Sequence, residues 1–135
     1  IIVFILSLFV GFRPVYSFGA ITLALLFMFL IAILFTALGT AIASVLEDMH
    51  GFQLIMNFLV MPIFFLSGAL FPLNNLPKIV DIITKIDPLS YGVDGIRGAL
   101  INGSHYGMGI DFFVLTFVAI IFIAAGTYLF SKTEV

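Results

Sequence analysis

Cysteine and tryptophan are absent from the 135 residues. Without cysteine there is neither a disulfide framework nor a thiolate metal site. Charge is scarce: 9% of the side chains are Asp, Glu, Lys or Arg, against about 25% in soluble domains. The formal net charge of −2 is too small to point to nucleic acid or to a strongly charged partner. No GxxxxGK(S/T) loop occurs, so the chain carries no phosphate cradle of that kind. His50 and His105 both fall in turns, and neither stands beside a nucleophile. Nothing in the residues therefore supports an enzyme. What fills the sequence instead is apolar: 63% of it is hydrophobic, with seventeen phenylalanines. This is the composition of an integral membrane protein, and at this length it forms one compact unit.

The chain opens on Ile1-Ile2-Val3-Phe4, with no Met and no basic residue before the apolar run. A secretory signal peptide fits poorly. Residues 1–12 are too short to cross a bilayer core of about 30 Å. They read as the last part of a span begun upstream. Pro14 disfavours helix at Arg13, and Tyr16 suits the headgroup level.

Residues 20–46 contain no charge. Their fifteen Leu, Ile, Phe and Val residues favour insertion by roughly 4–9 kcal/mol, which predicts a spanning helix. Ala32, Thr36, Thr40 and Ser44 recur at every fourth position, with Ala37 and Ala41 beside them. Such a stripe lets another helix approach closely in lipid, within one subunit or between two. Glu47-Asp48-Met49-His50-Gly51 follows as a polar turn. Its two acids and histidine invite a metal or catalytic reading, but adjacent carboxylates on one turn do not converge on one ion. A solvated turn offering a contact to a partner is the better reading for Glu47, Asp48 and His50.

Residues 52–71 form the next predicted span, with Asn57 and Pro62 inside it. Pro62 removes a backbone hydrogen bond, which membrane helices tolerate where neighbours re-satisfy the carbonyl. Asn57 reads either as a helix–helix hydrogen bond or as a polar point on a substrate path.

The polar part of the chain is concentrated in residues 67–103. That stretch holds Pro72, Pro77 and Pro88 and half of the charged side chains. From Leu76 to Ile86, the residues Leu76, Ile79, Val80, Ile83 and Ile86 recur at helical spacing opposite Lys78, Asp81 and Lys85. Asp87-Pro88 is a helix-start signature. A second helix over 88–101 places Leu89, Val93, Ile96 and Leu100 on one face and Asp94 and Arg97 on the other. Both are too short to span, and interfacial or re-entrant placement suits them. Asn102-Gly103-Ser104 matches a glycosylation triplet, a weak signal. The last span is expected over 112–130, with Asp111 as its N-cap. The fold class is all-α, a polytopic membrane helical bundle with two short amphipathic re-entrant helices between its last two spans.

SGALFPLNNLP at 67–77 and DPLSYGVDGIR at 87–97 resemble the C-terminal half of type 2 ABC (ATP-binding cassette) exporter permeases, of the multidrug- and daunorubicin-resistance type. Phe71-Pro72, Leu76-Pro77, Pro88-Leu89-Ser90-Tyr91, Asp94 and Arg97 stand where that pattern has its own; Asp87 departs from it, since the family commonly has Asn there. The resemblance implies six spans per permease domain, of which this chain would carry the end of the third and the last three. It also implies pairing with a second permease domain, and an ATPase partner that binds ATP and Mg, leaving this chain without a cofactor. The path or gate would then use Asn57, Pro62, Phe71, Pro72, Tyr91, Asp94 and Arg97, in a prokaryotic plasma membrane. That topology puts Arg13, Lys78, Lys85 and Arg97 outside and Lys132 inside, the reverse of the positive-inside tendency. An apolar path would suit an amphipathic or lipid-like cargo. A channel-like pore is the alternative, since two spans around a re-entrant segment also describe a pore domain. A potassium-type filter needs a TVGYG-like run, which Leu89-Ser90-Tyr91-Gly92-Val93 does not supply.

Overall fold

The computed structural model describes residues 9, 17–46, 48–70, 77–101 and 103–132. Among the described residues five helices have both ends defined: α1 (Phe18–Ala43), α2 (Met49–Leu66), α3 (Lys78–Ile86), α4 (Pro88–Ile101) and α5 (Met108–Ser131). The expected helical remnant at 1–12 lies outside the described residues, apart from Phe9.

Three of these helices, α1, α2 and α5, are long and apolar enough to cross a membrane, with mean hydropathy of 2.8, 1.6 and 2.5. At 1.5 Å per residue, α4 is only about 21 Å long and α3 shorter still. The order of spans and short helices is the one expected from the sequence. α1 ends at Ala43, three residues short of its expected limit. α2 stops at Leu66, five residues before the predicted end. There the backbone turns through Gly68, whose φ of 77° suits the residue after a helix.

α1, α4 and α5 pack against one another, whereas α2 touches the rest only lightly. The core is Phe27 and Leu34 of α1 with Leu115 and Ala119 of α5, flanked by Ile31, Ile96 and Phe122. Toward the far end, Gly126 lets α5 approach the backbone of α1 at Ala37 and the side chain of Ala41. The close seam thus uses Ala37 and Ala41. Ala32, Thr36 and Thr40 face outward, and the Thr40 hydroxyl bonds back to the Thr36 carbonyl (2.9 Å).

Two sequence expectations need correction. α5 starts four residues early, with Gly107 at its N-cap. Asp111 therefore lies inside the first turn, fully buried, and caps nothing. On α4, the face expected to be polar is turned inward. Gly92, Asp94, Gly95, Gly98 and Ala99 are its buried residues, together with Ser90. Leu89, Val93, Ile96 and Leu100 are only half-buried. Backbone proximity explains the choice: a Cβ at Gly92 would lie 2.6 Å from Ile31, and one at Gly95 would overlap the buried ring of Phe27. Glycine lets α4 lie directly on α1.

Candidate functional site

The polar groups gather where α4, the 103–107 connector and the start of α5 meet. Asp94 is the centre. It is 1% exposed, and its carboxylate accepts the backbone N–H of His105 (2.8 and 2.7 Å) and of Tyr106 (2.8 Å). A buried carboxylate with such donors is satisfied and also shapes the loop, because each N–H would otherwise need another partner. Gly98 lets the connector come down onto α4, since a Cβ there would stand 3.0 Å from Ser104.

Tyr91 closes one side. Its ring lies against Tyr106, centroids 4.9 Å apart, and its hydroxyl donates to the Lys85 carbonyl at the end of α3 (2.8 Å). Burial raises the Tyr91 phenol above its ordinary range, and Tyr106 and the Asp111 carboxylate add to the effect. Asp87 joins α3 to α4 as expected from Asp87-Pro88. It accepts from the Leu89 N–H (2.9 Å) and the Ser90 hydroxyl (3.2 Å). Burial nevertheless pushes its carboxyl up to about 6. Lys85 pairs with Asp81 at 2.7 Å, and that bond raises the lysine further.

Arg97 reaches the other way. Its Nη2 donates to the Gly68 carbonyl (2.7 Å), tying α4 to the turn that ends α2. Ser67, beside it, bonds through its hydroxyl to the Phe64 carbonyl (2.8 Å) and receives the Ala69 N–H (3.3 Å).

The predicted site residues thus separate into groups. Tyr91, Asp94 and Arg97 share α4 and hold its surroundings together. Asn57 and Pro62 lie on the exposed surface of α2; among the described residues no hydrogen bond reaches the Asn57 side chain. Phe71 and Pro72 lie outside the described residues, as does Glu47. Asp48 caps α2 through the N–H groups of His50 (3.2 Å) and Gly51 (2.9 Å), and His50 is exposed. Near this turn, an apolar recess of about 330 Å³ opens between Ala41, Ile42, Val45, Leu46, Ile55 and Leu129.

Sequence reasoning missed Asp111 and the glycine face of α4. The spacing Gly92-x-x-Gly95-x-x-Gly98 was the available signal. It competed with an equally regular apolar pattern on the same helix.

Comparison with known proteins identifies the family. Residues 1–101 match the family model described as ABC-2 type transporter. The chain is 33% identical over 100 residues to transport permease ycf38 of Porphyra purpurea, covering 72% of this chain and 33% of that protein. It is 28% identical over 87 residues to Nodulation protein J of Rhizobium meliloti (strain 1021), covering 64% of this chain and 33% of the relative. The chain therefore spans about a third of the length of these relatives. No solved structure matches it. With three helices long and apolar enough to cross a membrane and a family match across about three quarters of its residues, this multi-pass membrane chain belongs to the ABC-2 type transporter family.

Proposed function

We propose that this chain forms part of the membrane permease subunit of an ATP-driven exporter, lining the translocation path. The observation that carries the reading is the polar clasp on α4, Asp94 on the connector and Arg97 on Gly68, set between two apolar spans in a chain of this family. Such a clasp joins three elements that would have to move together if the end of the path opens and closes. Family membership and a relative named as a transport permease support it.

In this reading the chain itself holds no cofactor and is not an enzyme. ATP and Mg belong to a separate cassette ATPase, and a second permease subunit completes the path in a prokaryotic plasma membrane. The exposed turn at Asp48 and His50, with Glu47, offers the partner contact. The abundance of Phe, Leu, Met and Ile favours an amphipathic or lipid-like cargo.

The test is reconstitution of the complete permease with its cassette ATPase in vesicles. ATP-dependent movement of an amphiphilic dye, reduced by Arg97→Ala, is the expected result. ATP hydrolysis and dye movement that are both indifferent to the permease would refute the proposal.

A further inference from the structure

Two buried acids stand outside the clasp, and they differ: Asp87 accepts hydrogen bonds from Leu89 and Ser90, whereas Asp111 accepts none among the described residues. It is 0% exposed, and among the described residues neither carboxylate oxygen has a hydrogen-bond partner. An ionised carboxylate is an acceptor only and needs donors when buried. The described residues supply none here.

Its charged surroundings make this worse. From α4 it faces the Asp94 carboxylate and, more weakly, the Tyr91 phenol. On the connector the titratable groups are Tyr106 and the exposed imidazole of His105, both tied by their backbone N–H groups to Asp94. α1, packed on the other side of α5, has no ionisable residue between Phe18 and Ala43. Among the described residues the only salt bridge is Lys85 with Asp81, so no cationic side chain pairs with Asp111.

Asp94 and Asp111 are unequal. Asp94 already receives backbone N–H groups from His105 and Tyr106, and Asp111 receives none among the described residues. Two neighbouring carboxylates in one dry site do not both keep their charge uncompensated. The positive charge that is missing belongs at Asp111.

We propose that Asp111 is a binding site for a single monovalent positive charge, a proton or an alkali cation, at the junction of α4, the connector and α5. A divalent metal is a poor occupant, because it gives up its water far more reluctantly than a monovalent ion and needs more anionic ligands in exchange. Among the described residues no group of three His, Cys, Asp or Glu side chains comes together. When the charge is bound, α5 rests against α4 and the Asp94 clasp holds. When it leaves, two carboxylates repel across that contact, and the connector loosens. The proposal stands apart from the exporter reading, since it concerns only how α4 and α5 stay docked.

The test uses the full chain in phospholipid vesicles. Infrared spectra with carbon-13-labelled aspartate are recorded in sodium-free choline buffer and then with added Na⁺, and thermal unfolding is followed in parallel. One supporting outcome is the carbonyl band of a protonated aspartic acid that Asp111→Asn abolishes and Asp87→Asn leaves, which identifies the proton as occupant. The other is a rise of the unfolding midpoint with Na⁺ that Asp111→Asn abolishes, which identifies the alkali cation. Asn keeps the size of the acid without its charge, so this variant is expected to fold and to lose both responses. If Asp111→Asn does not fold, Asp87→Asn decides: a protonated-acid band that survives it supports the proposal, and a band that disappears with it belongs to Asp87 and overturns the proton as occupant. An ionised set of aspartates throughout, with an unfolding midpoint indifferent to Na⁺, overturns the proposal.

Discussion

α2 and α4 invert the rule that holds for soluble proteins. α2 is rich in Phe, Leu and Met, yet none of its residues is buried. α4 carries an aspartate, an arginine and three glycines, yet it lies in the packed centre with six buried residues. In water the greasier helix would go inside. In lipid, the surroundings are as apolar as the interior, so hydrophobicity no longer sorts helices. Close backbone approach and satisfied polar groups do the sorting instead. α4 has both, through Gly92, Gly95 and Asp94, whereas α2 has neither and is held mainly at its two ends.

Several substitutions would break this contrast or sharpen it, starting with the largest effect. Asp94→Ala removes the acceptor for the His105 and Tyr106 N–H groups and should cost about 1–3 kcal/mol for each donor stranded. Unfolding in micelles, with proteolysis of the connector as a second readout, checks this; an unchanged midpoint would show that the clasp is ornamental. Gly95→Ala comes next. Its Cβ would overlap Phe27, which is too buried to yield, and overpacking of this kind costs about 1–3 kcal/mol. Gly92→Ala should cost less, because it meets the flexible end of Ile31.

Arg97→Ala should cost about 1 kcal/mol, since its half-exposed bond to the Gly68 carbonyl is charge-assisted but partly hydrated. Its clearer signature is local: a cysteine placed at Ala69 should label faster once α2 is untied. Asp87 adds a pH effect. Its carboxyl is raised from 3.8 to about 6 in the folded chain, so the folded state binds the proton more tightly. Its contribution to stability is full below 3.8 and is lost as pH rises through about 6. Asp87→Asn should keep the Leu89 cap and flatten that slope in a pH series of unfolding midpoints. Asn57→Leu on exposed α2 should change the stability of the isolated chain by no more than about 0.5 kcal/mol. A larger loss would place Asn57 in a contact with another helix.

Much of the architecture could be read from residue order. The uncharged run over 20–46 marks α1 and Asp87-Pro88 marks the break between α3 and α4, while α3 itself starts at Lys78 behind Pro77, two residues after the expected Leu76. Those signals are local, since apolar length, capping acids and prolines act within a few residues of themselves. The start of α5 was misplaced because Asp111 looks like a cap, while the cap is Gly107, whose φ of 103° leaves no trace beyond its being glycine.

The orientation of α4 was not local. Its apolar ridge at Leu89, Val93, Ile96 and Leu100 and its glycine ridge are both periodic, and period alone does not say which one meets α1. Residue order alone thus settled that the chain is helical, that it lies in a membrane, and roughly where each span runs, because transfer from water to lipid depends on composition over a window. Only the assembled bundle decided that Asp94 turns inward to hold a loop and that Asp111 is buried with no hydrogen-bond partner among the described residues. Those outcomes depend on which backbones can touch, and contact between distant residues is set by packing.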